Sequence, residues 1–583
     1  MKELKRLFSY VGPYKKDFYL GAILVIFETC FELIIPLLMA DIIDIGVVNH
    51  DTRIIYIRGI EMGICAVLSL ITGLLYARFA ARASYGFGAR VREAEYEKIQ
   101  TYAFSNLDRF DTSSLVTRLT TDITVVQNAI NGGIRPLVRG PAMLILGIAL
   151  SIWMNAKLSL VFFVSAPLLA VTLVFIVHRV APMYSRLQRA VDRLNGVVQE
   201  GLTAIRAVKA FVRGEYEEEK FKSVNEDLMQ TSQKTFHYAV LNLPAFQIVM
   251  YTAVVLIMWF GGNMIINSTL QVGDLTGFLS YVLQVMNSLM MISNVFLLLT
   301  RSLASAKRIG EVLDEKPEIT SPAAAETVIP DGSIDFKNVS FKYHRDAEEY
   351  ALSNVSLYIP AGQTVGILGG TGSAKTTLVQ LIPRLYDATT GEVDVGGKNV
   401  KDYDLTALRD AVGIVLQKNV LFSGTIRDNL RWGNREADDK ELWRACRIAC
   451  ADEFIERMPK GLDTDLGQGG VNVSGGQKQR LCIARTLLKK PKILIFDDST
   501  SAVDTATEAK IRTALAELPD MTKIIIAQRI TSVMNTDQII ILDDGKINAV
   551  GTHEELLRNN HIYQEIYASQ VKGGDSNGTP NER

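Results

Sequence analysis

Long apolar runs alternate with polar stretches along the first 300 residues of the chain. A membrane span needs about 20 mostly apolar residues. The runs of that length are 18–42, 58–79, 134–154, 158–178, 240–261 and 275–299. Most connections between them are short, but residues 80–133 and 179–239 are long, polar and helically patterned. The pattern predicts six transmembrane helices, of which the second to the fifth continue as helices beyond the bilayer.

The distribution of Lys and Arg predicts the orientation of these spans. Residues 82–128 hold six of these cations and residues 179–239 hold ten, whereas the short connections together hold only Arg53 and Lys157. Positive residues stay on the cytoplasmic side of a membrane. We therefore expect the long connections, the N-terminus and the C-terminal half to be cytoplasmic. The basic, amphipathic residues 1–17 predict a helix on the membrane surface rather than a signal peptide.

The tips of the two long connections lie near residues 106–114 and 213–221. Loops of about 50 residues without secondary structure are uncommon in compact domains. We therefore expect both connections to be helical extensions whose tips meet the cytoplasmic half of the chain. Surface loops without a coupling role are the alternative.

The first span contains two carboxylates, Glu28 and Glu32, which share one helix face. Ionisable groups inside a membrane are costly and indicate function by default. The pair is therefore a candidate substrate cavity for cationic groups. The alternatives are contact with water near the cytoplasmic end of the span, or pairing with a basic residue on another helix.

The pattern changes after residue 310, where a linker containing Pro and Ala covers residues 311–332. The next stretch, "SIDFKNVSFKY", alternates as a β-strand does. We expect a membrane domain over 18–310, a nucleotide-binding domain over 333–570 and a disordered tail over 571–583.

A Gly-rich turn between an apolar strand and a helix follows in "QTVGILGGTGSAKTTLVQLI". Such a turn presents backbone N–H groups and a helix N-terminus to phosphates. We expect Lys375 to reach the terminal phosphates of ATP and the Thr376 hydroxyl to hold Mg²⁺. The phosphate loop comprises Gly369, Gly370, Thr371, Gly372, Ser373, Ala374, Lys375, Thr376 and Thr377. The predicted fold class is a six-helix transmembrane domain followed by an α/β P-loop domain.

Ala374 stands where the usual pattern of this loop, G-x-x-x-x-G-K-[ST], has its second Gly. If the position needs a positive φ, a Cβ there costs about 1 kcal/mol or more. If the position is already helical, Ala costs nothing. The sequence leaves both conformations open.

Composition limits the possible partners and the possible roles of the cysteines. The net charge of −1 and a charged fraction of 21% give no argument for a nucleic-acid partner. The five cysteines form no CxxC pair, and Cys446 and Cys450 have no His partner, which favours free thiols over a zinc site or a disulfide.

A second element of a nucleotide site is the apolar run "ILIFDD", which ends in Asp497 and Asp498. In ATP-hydrolysing proteins, one carboxylate of this kind holds Mg²⁺ and a second group positions the attacking water. Asp498 would fill the second role with one methylene less than Glu.

The runs "VSGGQKQRLCIAR" and "KILIFDDSTSAVD", placed behind six spans, resemble those of ATP-binding-cassette (ABC) exporter half-transporters, and the resemblance covers about residues 1–570. It implies that Tyr343 stacks on adenine, that Gln417 contacts Mg²⁺ and that Asp497 holds Mg²⁺ through water. It also implies that Asp504 links two ATP sites across a dimer. The residues implied to contact a nucleotide held by the other subunit are Ser474, Gly475, Gly476 and Gln477.

The residues themselves favour a dimer as well. "SGGQ" opens a helix and offers N–H groups to an anion. Because the loop of Lys375 already serves one nucleotide, a second turn of this kind indicates an ATP held between two subunits. Six spans are also few for a substrate cavity with alternating access.

Three positions depart from the pattern of the family. Asp498 stands where Glu is usual, Gln528 where a switch His is usual, and Gln468-Gly469 where Glu-Arg usually precedes the signature. The Asp498 side chain is shorter than that of Glu by about one bond length, so its carboxylate is misplaced for aligning the attacking water. The rate of phosphoryl transfer depends mainly on such positioning. Gln528 forms hydrogen bonds but cannot carry the charge of a His. We expect turnover at this site to be slower by about 100-fold or more.

This combination resembles the degenerate-site subunit of heterodimeric bacterial multidrug ABC exporters. It implies ATP and Mg²⁺ as cofactors, and a second half-transporter with Glu and His in place as the partner. It further implies a small amphiphilic substrate, the lipid bilayer of a bacterial plasma membrane as surroundings, and no nucleic acid. The alternatives are a homodimeric transporter or lipid flippase, and a nucleotide-sensing subunit that transports nothing.

Overall fold

A computed structural model describes residues 6–344, 346–498, 503–518 and 520–571. The chain divides into two compact units. The helical unit comprises Met1–Gln100 and Thr112–Glu315, and the α/β unit comprises Thr101–Asp111 and Lys316–Arg583. The predicted tail, from residue 572 onward, lies outside the described residues.

The helical unit is built from long helices. Their bounds are Lys15–Asp41, Thr52–Gln100, Thr112–Thr117, Ile123–Met154, Leu160–Thr203, Ile205–Ala210, Gly214–Val240, Asn242–Ile266 and Val272–Asp314. Within the described part of the chain, six helical stretches are long and apolar enough to cross a membrane. The six predicted spans are therefore confirmed. The helices also run far past the apolar residues, as predicted for the second to the fifth.

The predicted surface helix is described from residue 6 onward. Phe8–Tyr14 form a 3₁₀ segment that is interrupted at Gly12, where φ is 44°. Leu7 and Val11 are buried beside it. The first long helix starts directly afterwards, at Lys15.

Contacts between the C-terminal end of the first span and the start of the last span tie these two helices together. The Asp44 carboxylate accepts the N–H groups of Gly273 at 2.6 Å and Asp274 at 3.0 Å. It thereby caps the helix that begins at Val272, whose first N–H groups lack partners within the helix. A Cβ at Gly273 would lie 2.3 Å from the Ala40 carbonyl oxygen, so only glycine allows this approach.

The α/β unit contains two sheets. Their strands are β1 (Ile334–Phe341), β2 (Leu352–Ile359), β3 (Thr364–Leu368), β4 (Thr390–Val395), β5 (Lys398–Asn399), β6 (Val412–Val415), β7 (Ile493–Asp497), β8 (Thr522–Ile526), β9 (Gln538–Asp543) and β10 (Lys546–Gly551). The smaller sheet has the order β2-β1-β4-β5 and is antiparallel. The larger has the order β10-β9-β3-β8-β7-β6 and is parallel except for β10.

Helices connect and cover these strands. Their bounds are Lys375–Gln380, Leu405–Ala411, Ile426–Leu430, Asp439–Ile448, Asp452–Ile455, Gly475–Leu488, Thr505–Ala516, His553–Asn559 and His561–Val571. Strand β7 is buried on both faces, as expected of a central parallel strand covered by helices. The sheet therefore supports the loops that follow the carboxyl ends of its parallel strands.

The tip of the first long connection, Thr101–Asp111, belongs to the α/β unit and is called the tip segment here. Its short helix, Phe104–Asp108, places buried Asn106 so that its side-chain amide donates to the Lys316 carbonyl at 2.9 Å. The prediction that this tip meets the C-terminal half is confirmed. The second tip, residues 213–221, is part of the helical unit.

Candidate functional site

A cleft of about 480 Å³ lies where the parallel strands end. Strands β3, β8 and β7 are neighbours, with Ile367 and Asp497 both paired to Ile526. Carboxyl ends of parallel strands meet at one edge, and ligands of open α/β sheets bind there. The cleft is lined by most of the phosphate loop and also by Tyr343, Gln417, Asp497, Asp498 and Gln528. The structure thus brings together residues that are up to 202 positions apart in the sequence, from Tyr343 to Gly545.

The phosphate loop turns tightly between β3 and the helix Lys375–Gln380. A Cβ at Gly369 would lie 2.2 Å from the Leu542 carbonyl oxygen, so the loop needs glycine there. Ala374 has φ 67° and ψ 26°, which is the left-handed conformation. The question left open by the sequence is therefore answered: the position needs a positive φ, and the Cβ of Ala374 costs about 1 kcal/mol.

The Lys375 ammonium lies at the mouth of this loop. It donates to the carbonyl oxygens of Gly369 at 3.0 Å and Gly370 at 2.7 Å. Burial lowers the pKa of the Lys375 ammonium, and the nearby carboxylates of Asp498 and Asp497 oppose that shift. A triphosphate in the cleft would supply further negative charge to this cation.

Thr376 and Asp497 form the part of the site that suits a magnesium ion. The Thr376 hydroxyl donates to the Asp497 carboxylate at 2.8 Å. Burial raises the pKa of Asp497, and the hydrogen bond from Thr376 opposes the shift. With Gln417 these residues offer only oxygen ligands, which Mg²⁺ prefers, and they are few enough to leave room for water and phosphate oxygens. The set therefore fits Mg²⁺, which would neutralise phosphate charge when bound.

Asp498 and Gln528 contact each other directly. The Gln528 side-chain amide donates to the Asp498 carboxylate at 2.7 Å. Gln417 also hydrogen-bonds to this carboxylate. Burial is the main cause that raises the pKa of Asp498, and the hydrogen bond from Gln528 opposes it. Asp498 itself has φ 47°, a conformation that Asp tolerates better than most residues.

Tyr343 stands at the other end of the cleft in a cluster of aromatic rings. Its ring packs edge-to-face against Phe341 at 4.9 Å and Tyr386 at 5.4 Å between centroids. Its hydroxyl is 2.8 Å from that of Thr377. Tyr343 remains 43% exposed, so one part of the ring is free to stack on a base.

The signature residues are located away from this cleft. Ser474 caps the helix Gly475–Leu488: its hydroxyl accepts the Gln477 N–H, and the Gln477 side chain accepts the Ser474 N–H at 2.9 Å. Ser474, Gly475, Gly476 and Gln477 are not among the residues that line the cleft in the described chain. Asp504 caps the helix Thr505–Ala516 by accepting the Thr507 N–H at 2.9 Å. In the described chain, the capped helix start at Ser474 is therefore not part of the cleft.

Some lining residues were not predicted from the sequence. They are Glu349, Tyr350, Ala351, Ile526, Asp544 and Gly545. A readable signal was the Asp-Gly pair of Asp544 and Gly545 between two apolar runs, which is typical of a hairpin turn. The turn connects β9 to β10 next to β3, which brings it to the cleft.

Glu28 and Glu32 lie in the helical unit and face arginines of the helix Ile123–Met154. Glu28 is only 3% exposed and pairs with Arg135, and with Arg139 at 3.5 Å. Glu32 pairs with Arg139. The structure therefore shows the pairing with basic residues of another helix that the sequence left as an alternative. A role of Glu28 and Glu32 in a substrate cavity stays a prediction.

Fold and site together define a membrane-spanning chain with a P-loop nucleotide-binding domain. Two family models match it: the ABC transporter transmembrane region over residues 18–289 and the ABC transporter domain over residues 352–501. The chain belongs to the ABC transporter family, as an exporter-type half-transporter with one transmembrane and one nucleotide-binding domain.

Relatives and solved structures support this assignment over nearly the whole chain. An uncharacterized ABC transporter ATP-binding protein of Bacillus subtilis, YfiB, is 39% identical and covers 97% of this chain and 98% of its own length. An ATP-dependent lipid A-core flippase of Desulfotalea psychrophila is 32% identical, with 97% and 99% covered. A bacterial Atm1-family ABC exporter with ATP bound has a TM-score of 0.79 at 25% identity, covering 95% of this chain and 98% of its own.

Proposed function

We propose that this chain is one subunit of a heterodimeric, ATP-driven exporter of the bacterial plasma membrane. In this proposal its own site binds ATP with Mg²⁺ but hydrolyses it slowly, and its signature completes the competent site of a partner that carries Glu and His. The observation that carries the proposal is the Asp498–Gln528 pair, which occupies the positions of the usual Glu and His.

The geometry of this pair supports the proposal of slow turnover. Asp498 lacks one methylene relative to Glu, and its carboxylate is held by the amide of Gln528 at 2.7 Å. Because its side chain is shorter, the Asp498 carboxylate falls short of the position from which Glu would align the water that attacks the γ-phosphate. Misplacement by about 1 Å costs about 100-fold in rate. Gln528 also cannot supply the positive charge of a protonated His to the transition state.

Binding of ATP is expected to survive these replacements. Lys375, Thr376 and Asp497 line the cleft in the arrangement expected for a triphosphate and its metal ion. Tyr343 provides an exposed aromatic surface for the base. None of these groups takes part in positioning water, so affinity and turnover are separable here.

Two features favour a dimer. The capped turn at Ser474 does not line the chain's own cleft, so a second subunit is needed to use it. The tip of the second long connection exposes large apolar side chains, with Phe211 at 78% and Val212 at 88%. Val212 also has φ 53°, which is strained for a β-branched residue and is typical of a site with a function. We propose that this tip engages the partner subunit.

The substrate is proposed to be a small amphiphile. The arginines beside Glu28 and Glu32 neutralise these carboxylates, which weakens the argument for selection of cations. The second candidate function is a homodimeric lipid flippase. It is favoured by relatives named ATP-dependent lipid A-core flippase in Desulfotalea psychrophila and Haemophilus influenzae, at 32% and 31% identity.

In the proposed cycle, ATP binding closes the two nucleotide-binding domains. The tip segment follows because it is fixed to its own α/β unit, and the spans attached to it shift toward the outward-facing state. Hydrolysis at the partner's site and product release reset the cycle. To drive this change, ATP must favour the closed state by a few kcal/mol.

The test is ATP turnover by the purified chain in lipid, beside the double variant Asp498→Glu, Gln528→His. A matched control is Asp544→Glu, which lengthens another carboxylate of the same cleft by one methylene. We expect bound ATP but negligible turnover in the unmodified chain and in the control. Negligible turnover in the double variant as well indicates that a different partner is required. A rise of about 100-fold in the double variant instead indicates that the site alone is limiting. Fast turnover by the unmodified chain contradicts the proposal.

A further inference from the structure

The segment that carries Gln528 is held at several points, and it is called the switch segment here (Gln528–Ser532). It follows β8 and ends in the 3₁₀ turn Ile530–Ser532. Its side-chain contact with Asp498 has been described above. Its backbone groups also bond to side chains from two helices.

One of these helices is the last one described, His561–Val571, called the C-terminal helix here. The side chain of Gln570 forms two hydrogen bonds with the switch segment. Its amide nitrogen donates to the Gln528 carbonyl at 2.9 Å, and its amide oxygen accepts the Ile530 N–H at 2.8 Å. One side chain therefore satisfies backbone groups on both sides of Arg529, as a neighbouring strand would.

The C-terminal helix is firmly seated in the α/β unit. Tyr563 is fully buried in the core, and its hydroxyl lies 2.5 Å from Nδ1 of His553. Asn560 accepts the Tyr563 N–H at 2.9 Å and donates to the Asn548 side chain at 2.7 Å. The helix therefore presents Gln570 from a fixed position.

The second helix is Thr505–Ala516, which Asp504 caps. Arg512 on this helix donates to the Thr531 carbonyl at 2.5 Å. The switch segment is thus held between the helix that follows Asp504 and the C-terminal helix. Loss of either contact removes part of the support of a segment that reaches the cleft through the Gln528 side chain.

Building on the function proposed above, we propose that Gln570 is a positioning residue of the ATP site. Gln570 fixes the backbone of Gln528, and the Gln528 side chain in turn fixes the Asp498 carboxylate. Gln570 thereby positions the side chains of Gln528 and Asp498 beside the site of the γ-phosphate, and it does not contact the nucleotide itself. We therefore expect it to affect the rate of hydrolysis and not the affinity for ATP.

The test uses the full chain in lipid nanodiscs with Mg²⁺ and ATP. Gln570→Met removes both hydrogen bonds at nearly constant shape, and Gln570→Glu keeps the acceptor for Ile530 but loses the donor to Gln528. The matched control is Gln564→Met on the same helix, where the glutamine amide donates to the Leu557 and Arg558 carbonyls instead. Three quantities are measured: amide hydrogen exchange over residues 528–532, the slow single-turnover rate of bound ATP with protein in excess and followed over hours, and the Kd of ATP.

For Gln570→Met we expect exchange at Ile530 to accelerate and single turnover to slow, each by about tenfold, because both hydrogen bonds to the switch segment are lost. For Gln570→Glu we expect Ile530 to stay protected while turnover still slows. The Kd should stay within about twofold in every variant, and Gln564→Met should change neither rate.

The proposal is overturned if Ile530 exchange is unchanged in Gln570→Met, or if Gln564→Met reproduces both effects. A rise in Kd that accounts for the whole loss of rate also overturns it. Failure of the proposed function is distinguishable, because it appears as fast turnover in the unmodified chain, whereas the role of Gln570 is read from the ratio of variant to unmodified chain.

Discussion

The attachment of the tip segment to the α/β unit depends strongly on Tyr386, and Tyr386→Phe tests it. The Tyr386 hydroxyl donates to the Asp108 carboxylate at 2.7 Å, and its ring packs edge-to-face on Phe104 at 6.0 Å between centroids. The same ring contacts Tyr343 in the nucleotide cleft. Burial raises the pKa of Tyr386, so the hydroxyl stays protonated and donates. The substitution removes this hydrogen bond and keeps the ring.

The size of the effect follows from the nature of the bond. A hydrogen bond to a charged group contributes about 1.5–3 kcal/mol. Asp108 is exposed to water, so we take the lower end, about 1.5 kcal/mol. This corresponds to an increase of about tenfold in the population of the detached tip segment. Arg109, which pairs with Glu318 at 2.6 Å, and Asn106 keep their contacts, so the segment stays attached most of the time.

Amide hydrogen exchange of residues 104–110 in the full chain measures this population. We expect exchange there to accelerate by about tenfold in Tyr386→Phe. The matched control is Tyr403→Phe, which removes another buried tyrosine hydroxyl, one that donates to the Val395 carbonyl at 2.8 Å far from the tip segment. The control should lower the stability of the α/β unit without a selective change over 104–110. An acceleration below about twofold in Tyr386→Phe would refute the reasoning.

Three further predictions concern other sites. Glu28→Gln removes the buried carboxylate beside Arg135 and Arg139, of which Arg139 still pairs with Glu32, so thermal unfolding in detergent should show a loss of about 2 kcal/mol; no change would contradict a structural role. Ala374→Gly should alter stability by less than about 1 kcal/mol, since relief at φ 67° is offset by chain entropy, whereas the β-branched Ala374→Val should lower the unfolding temperature clearly. Asp497→Asn should stabilise the metal-free chain at about pH 7 but not at about pH 3. Because the pKa of Asp497 is raised in the folded state, ionisation of this carboxyl lowers the free energy of unfolding as the pH rises through that pKa.

The sequence predicts the parts of this molecule that depend on local pattern. Bilayer thickness sets the length of an apolar run, so six spans were readable. The apolar runs that end at the phosphate loop and at Asp497 were predicted from their local pattern. Parallel pairing of β3, β8 and β7 then brings the ends of these runs to one cleft. The hairpin residues Asp544 and Gly545 carried a turn signal, but only the sheet order places them in the site.

Other parts depend on long-range contacts that no local pattern contains. The positive φ of Ala374 and the close approach of Gly369 to the Leu542 carbonyl, on another strand, are properties of the folded loop. Gln570 reaches Gln528 across 42 residues, and a glutamine near a chain end carries no signal of such a contact. The partners of Glu28 are a partial exception. Glu28 and Glu32 have the same four-residue spacing as Arg135 and Arg139, which indicates two helix faces of opposite charge.

The tip segment also constrains the order in which the chain acquires its structure. Asn106 and the Lys316 carbonyl that it binds are 210 residues apart in the sequence. During synthesis, the tip segment is made together with the first spans. It lacks its contacts until the rest of the α/β unit has been synthesised. A fragment that starts at residue 316 lacks a piece of its own unit, and it leaves the Tyr386 ring without Phe104 and its hydroxyl without Asp108. Separately expressed nucleotide-binding domains of this chain therefore start from an incomplete surface. Folding of the complete α/β unit therefore depends on a segment that lies between two membrane-spanning helices.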